Sequence, residues 1–231
     1  MEFPAPLIPA VLLRRYKRFL ADVRLSDGRE ATVHCPNPGA MTGLADPGTR
    51  IHLLPGRGKL PYSWELSETS FGPVGINTAR PNRLVEEALA AGGIPELSGY
   101  GSCRREVSYG ENSRIDLLLE EPGRSSAYVE IKNVHMFRQP PLAEFPDCVT
   151  ARGTKHLLEL ARMAQAGARA VMLYVIQLNF CDRFSLAADI DPAYCRAFAA
   201  ARAAGVEAYA YRCHIGSMGI TVADRVPVVE N

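Results

Sequence analysis

The sequence predicts an α/β chain of the α+β kind in two parts, a β-rich N-terminal region followed by an α/β region with a mixed central sheet. Three observations carry this. Short apolar runs between about Leu12 and Thr78 are broken every few residues by proline or glycine. From Pro81 the apolar residues change to helical spacing. Beyond that point, strand-like and helix-like runs follow one another in the order α-β-β-β-α-β-α-β.

The first part opens with a hairpin. The run from Phe19 to Leu25 alternates from Leu20 onward, Ser26-Asp27-Gly28-Arg29 supplies a turn, and Glu30 to Cys35 returns. Asp-Gly provides the positive φ that a tight turn needs. Pro36, Pro38, Gly39, Pro47, Gly48, Pro55, Gly56 and Gly58 then punctuate the chain, as in a small barrel or sandwich. Leu84, Ala88 and Ala91 mark a helix that Gly92-Gly93 stops, so the domain boundary falls near residue 80, giving parts 1–80 and 81–231. Strands are expected at Cys103 to Tyr109, Arg114 to Leu119 and Ala127 to Val134. A helix then runs from an N-cap at Asp147 to Gly167. Ala170 to Gln177 is a nearly continuous apolar run, the pattern of a strand buried on both faces. A helix from Pro192 to Ala204 and a strand from Val206 to Cys213 complete the order.

The 231 residues are 47% hydrophobic and 22% charged, an ordinary globular composition that argues against disorder. The net charge of +1 excludes a polycation, so any nucleic-acid contact must come from a local patch. The six cysteines show no C-x-x-C spacing and no zinc-finger pattern, and reduced thiols are expected. The N-terminus is apolar and proline-rich to Leu13 and only then basic, the reverse of a signal peptide. No run approaches the ~18 apolar residues that span a bilayer. A soluble, cytoplasmic protein with no membrane partner is expected, and nothing in the sequence speaks for an oligomer.

The chemistry is expected on the middle strands. Alternation sends Asp116 to the face opposite Ile115, Leu117 and Leu119, and puts Glu130 and Lys132 together on the face opposite Val129 and Ile131. Glu121 to Ser126 is turn-rich. A hairpin centred on Gly123 pairs residues whose numbers sum to 246, which sets Asp116 opposite Glu130. Two adjacent carboxylates repel unless a positive charge sits between them. Mg²⁺, or Mn²⁺, answers that need with oxygen ligands from Asp116, Glu130 and the carbonyl of Ile131, while Lys132 can stabilise charge on a phosphate. The plainer alternative is the polar face of a hairpin, with Asp116 and Lys132 as a diagonal ion pair.

The pattern Ile115-Asp116 followed by Glu130-Ile131-Lys132, 14 residues apart, resembles the PD-(D/E)xK nuclease superfamily. The wider chain resembles the sugar fermentation stimulation family, SfsA. The segments that carry this are Leu13 to Asp22, His34-Cys35-Pro36-Asn37-Pro38-Gly39-Ala40-Met41, Glu96 to Tyr100, Ser113 to Asp116 and Phe145-Pro146-Asp147. The resemblance implies an OB-fold-like β-barrel, residues 1–80, joined to a nuclease-like domain, residues 81–231, with sequence-independent DNA binding. Its name carries a link to sugar (maltose) metabolism. Pro38 stands where the family usually has threonine, which removes a hydroxyl and an amide donor from that loop.

Arg14-Arg15-Tyr16-Lys17-Arg18 is the densest basic cluster and is interleaved with aromatics, as in single-strand binders; a charge-guarded strand edge is the alternative. Arg152, Lys155, His156 and Glu159 share a helix side, with Leu157, Leu160 and Ala164 on the other. In nuclease-like folds this helix flanks the metal, so Arg152, Lys155 and His156 are DNA-binding candidates. Glu86, Glu87 and Glu106 read as surface acids, Asn37, Asn77 and Asn82 as turn residues, and Trp64 as core. The functional expectation is DNA binding with a metal-dependent nuclease site. The alternative is a DNA-binding regulator that does not cleave. A carbohydrate enzyme is disfavoured, because neither a Walker-type loop nor a nucleophile elbow is present.

Overall fold

The computed structural model describes residues 1–56, 58–110 and 113–229. The N-terminal strands are β1 (Ile8–Tyr16), β2 (Leu20–Leu25), β3 (Glu30–His34), β4 (Arg50–Pro55), β5 (Tyr62–Thr69) and β6 (Gly72–Gly75). They pair in the order β3-β2-β1-β4-β5-β6, and a β3–β5 pairing at His34 and Ser63 closes the first five into a barrel of OB type. The β2–β3 hairpin turns at Gly28, where φ is +85°, a conformation that a Cβ would strain. Alternate strand residues fill the barrel, and Leu12, Val23, Val33, Ile51, Leu53 and Trp64 are fully buried.

Helix α1 (Pro81–Ala90) leads into the second part, whose main strands are β7 (Ser102–Tyr109), β8 (Ser113–Glu120) and β9 (Ala127–Val134). There follow β10 (Leu142–Phe145), α2 (Ala151–Gln165), β11 (Arg169–Ile176), β12 (Arg183–Leu186) and α3 (Pro192–Ala203). The last strands are β13 (Glu207–Gly216), β14 (Gly219–Val226) and β15 (Val228–Val229). The central sheet is mixed and ordered β14-β13-β11-β9-β8-β7, with β11 parallel to both β9 and β13. A small parallel sheet β10-β12-β15 lies beside it.

The apolar run at Ala170 explains itself in β11. Ala170, Met172, Tyr174 and Ile176 join a core shared with the barrel, α2 and α3, while Val171, Leu173 and Val175 join a second core under α1. Each of the valine, leucine, isoleucine and methionine side chains among them contributes ~1.5–3 kcal/mol on burial. No helix among the described residues is long and apolar enough to cross a membrane.

Two expectations change. Strands β10, β12, β14 and β15 are additional to the order read from sequence. The cap of α2 is Thr150, whose Oγ1 accepts the Gly153 amide at 3.1 Å, and not Asp147. Asp147 instead accepts from the Met41 amide at 3.3 Å and meets His135 Nε2 at 3.2 Å. It joins the barrel's loop after β3 to the second part.

Candidate functional site

Strands β8 and β9 pair as Leu117–Val129, Leu118–Tyr128 and Leu119–Ala127, the register of a turn centred on Gly123. The pairing stops one residue short of Asp116. There the Asp116 carboxylate enters the seam between the strands: Oδ2 accepts the Ile131 amide at 2.7 Å and Oδ1 accepts Asn82 Nδ2 of α1 at 2.9 Å. Alternation also breaks at this point. Ile115 belongs to the core on the α2 side, whereas Leu117 and Leu119 belong to the core under α1. Asp116 therefore does not sit squarely on one face, as regular alternation would have it. It lies at the edge where the two strands part.

Glu130 and Lys132 project together toward α2. Lys132 Nζ donates to Glu130 Oε1 at 2.6 Å, and His156 Nδ1 of α2 bonds the same oxygen. Arg152 Nε lies 3.4 Å from His156 Nε2. Glu130 is 2% exposed, and its Oε2 has no hydrogen-bond partner among the described residues.

The electrostatics divide the two acids. Burial, and then the charge of Glu130, push Asp116 above the ordinary carboxylate range. Burial also acts against ionised Glu130, but the bond from His156 and the charges of Lys132 and His156 outweigh it and hold that carboxyl below its ordinary range. Glu130 is thus the firmly ionised member of the pair.

Two more groups converge that strand alternation does not reveal. Glu159, one helical turn beyond His156, is 2% exposed, and neither of its oxygens has a hydrogen-bond partner among the described residues. Its nearest cation is Lys155 Nζ at 3.6 Å. The Tyr109 hydroxyl is also buried without a partner, and burial followed by the charges of Glu130, Glu159 and Asp116 raises its pKa. The sequence placed Glu159 on an exposed side. In the fold, Gly153, His156, Leu157, Glu159 and Leu160 are all buried, while Arg152 and Lys155 stay in solvent. Asn82, read as a turn residue, is a direct partner of Asp116. Only its position near the N-terminus of α1 could have signalled this.

The donor set fits a hard divalent cation. Buried carboxylate oxygens without partners stand on Glu130 and Glu159, and the proximity of Glu130 disfavours ionised Asp116. Among the described residues no group of three or more His, Cys, Asp or Glu is gathered as a metal cage. Mg²⁺ does not require one, since one or two carboxylates with water and substrate phosphate suffice.

The basic strip divides by role. Arg15 NH2 donates to the carbonyls of Asn37 at 2.8 Å and Gly39 at 2.9 Å, and so ties down the loop after β3. Arg14 pairs with Asp22 at 2.7 Å and lies over the Tyr16 ring, whose hydroxyl also donates to Asp22. Lys17 and Arg18 form the exposed β1–β2 turn, with φ of 48° and 63°. Helix α2 carries Arg152, whose Nε lies 3.4 Å from His156, the partner of Glu130. Glu86 pairs with Arg105, and Glu87 with Arg83 and the N-terminal ammonium.

A barrel of OB type joined to a mixed α/β sheet that bears Asp116 and Glu130-x-Lys132 defines a two-domain class with its acids at the mouth of a strand seam. The chain belongs to the sugar fermentation stimulation protein family. Residues 13–76 match the model of the SfsA N-terminal OB domain, and residues 79–219 match the sugar fermentation stimulation protein RE domain. It is 58% identical to the sugar fermentation stimulation protein homolog of Jannaschia sp. (strain CCS1), over 99% of this chain and 97% of that one. It is 59% identical to the homolog of Rhodospirillum centenum, over 96% and 97%. Among solved structures, Pyrococcus furiosus SfsA in complex with Ca²⁺ superposes with a TM-score of 0.91 at 29% identity, covering 100% of this chain and 98% of that one.

Proposed function

We propose that this protein binds DNA without sequence preference in the cytoplasm and hydrolyses its phosphodiester backbone with Mg²⁺ or Mn²⁺. The observation that carries this reading is the buried, unpartnered Oε2 of Glu130 beside Asp116, within a side chain that Lys132 and His156 keep ionised. Asp116, Glu130 and the Ile131 carbonyl would hold the cation, which supplies polarisation of the phosphate and a more acidic water. Lys132 places an ammonium where it can donate to a phosphate oxygen as charge builds there. His156 orients Glu130. Lys17, Arg18, Arg152 and Lys155 are exposed cations that can meet the DNA backbone. The Ca²⁺ held by the Pyrococcus relative is a hard, oxygen-seeking ion of the same kind.

One observation favours a second reading, a DNA-binding regulator of sugar metabolism that does not cleave. Both oxygens of Asp116 already accept N–H groups, and Lys132 and His156 share Glu130 Oε1. The separating experiment incubates single-stranded, duplex and branched DNA with the protein and Mg²⁺ or Mn²⁺, then with chelator. Asp116→Ala and Glu130→Ala are assayed in parallel. Chelator-sensitive cutting that is absent from both variants is the expected result. Binding without cutting under every metal would leave the regulator, and cutting that survives both substitutions would remove these acids from the chemistry.

A further inference from the structure

A second, half-enclosed cleft of about 680 Å³ lies between the barrel and α1, on the opposite flank of the site from α2. Four cationic side chains line it, Lys59, Arg80, Arg83 and Arg105, against a single carboxylate, Glu65. That carboxylate is 2% exposed and is committed to Asn77 Nδ2 and Arg80 Nε, each at 2.9 Å. In a chain of net charge +1, this is a local excess. Arg83 and Arg105 are steered by Glu87 and Glu86, which stand on α1 outside the lining. Both arginine side chains are 54% exposed, so these pairs bind them weakly and leave N–H groups for another anion. The barrel's β4–β5 segment contributes Leu54, Pro55, Leu60 and the ring of Tyr62 together with Lys59, while Arg83 comes from α1 and Arg105 from β7.

The cleft is continuous with the acid pair on two elements. Asn82, which donates to Asp116, directly precedes Arg83 in α1. Arg105 pairs across β7–β8 with Leu117, the neighbour of Asp116.

We propose that this cleft holds a single DNA strand running from the acid site, so that the substrate carries a single-stranded end, flap or bubble. The inference rests on the DNA-binding reading above. Arginines from α1 and β7 in one cleft with the apolar and aromatic β4–β5 segment suit a strand that sets its phosphates on the former and its base faces on the latter. A duplex hides its base faces within the stack and would leave the wall around Tyr62 unused. Helix α2 forms the second flank, so DNA is contacted on both sides of the acids.

The test is the affinity of a labelled oligo-dT and of a duplex of equal length, read by fluorescence anisotropy in chelator over a range of salt. Lys59→Gln combined with Arg83→Gln lowers oligo-dT affinity about 10-fold at low salt and flattens its salt slope by about 1.4, since each lost single-strand phosphate contact removes ~0.7. Tyr62→Ala lowers oligo-dT affinity about 10-fold at every salt concentration, the worth of one stacked base. Tyr62→Phe keeps the affinity, because the stacking face is retained. Duplex affinity is unchanged in all three. Unchanged oligo-dT affinity in the first two variants, a parallel loss for duplex, or failure of Tyr62→Phe to bind would each overturn the proposal. Binding is read without metal, so a cleft that fails leaves the cleavage experiment standing, and a protein that never cuts leaves this one standing.

Discussion

Asp147→Asn tests the bond between the barrel and the second part. Asp147 is half-buried against His135, the Met41 amide and the Cys148 thiol. Burial opposes its ionisation, but the hydrogen bond and charge of His135 override that and hold the carboxyl at about 2, against an ordinary 3.8. At 1.36 kcal/mol per pKa unit, the ionised group stabilises the fold by about 2 kcal/mol at neutral pH. Because the folded value is depressed, this contribution is complete above the ordinary value and is lost as pH falls through the folded one. Urea denaturation of wild type and variant should therefore give a difference of about 2 kcal/mol that stays flat from pH 7 to about pH 5. The difference should shrink below pH 4. One contiguous core links the barrel to the second part, so a single transition is expected. A difference under ~0.5 kcal/mol at pH 7, or one that persists undiminished at pH 3, would refute the assignment of Asp147 as an ionised clamp.

Two further substitutions probe the site itself. Asn82→Ala removes a hydrogen bond that favours ionised Asp116, so its pKa, already raised by burial and by Glu130, moves higher still; NMR titration of the carboxyl should show the upward shift, and a downward one would contradict the assigned contact. Glu159→Gln removes a buried charge whose oxygens lack hydrogen-bond partners among the described residues. In chelator it should stabilise the protein by roughly 1 kcal/mol while weakening Ca²⁺ or Mg²⁺ binding by calorimetry, and a destabilised variant with unchanged metal affinity would show that Glu159 serves only the fold.

Local patterns reached far into this structure. Asp27-Gly28 and Gly123 marked hairpins that form, α1 starts at Pro81, and β9 occupies Ala127–Val134 as its alternation suggested. Three of the omitted strands, β10, β12 and β15, share a cause; β14, at eight residues, is simply a hairpin partner of β13 that the reading left out. β10 and β12 have four residues each, and they exist as strands because parallel pairing joins them to each other and to β15. Such short segments carry no period that can be told from loop. Asp147 resembled an N-cap because caps and buried ion-pair partners draw on the same residue types. The DNA-binding candidate Arg15 read as one of a row of cations, yet its guanidinium holds the loop at Asn37 and Gly39.

By itself the sequence determined where the β8–β9 hairpin turns, and with it the Leu117–Val129 pairing next to which Asp116 and Glu130 lie. Turn position is a property of the local backbone and sets the β8–β9 register, whereas alternation fails at Asp116, where the two strands part. What only the tertiary structure decided is the character of those groups. The packing of α2 brings His156, Glu159 and Arg152 to the acids, and the packing of α1 brings Asn82. Desolvation and charge coupling depend on what covers a strand, so one acid is held ionised and its neighbour is pushed toward its protonated form only once both helices are in place.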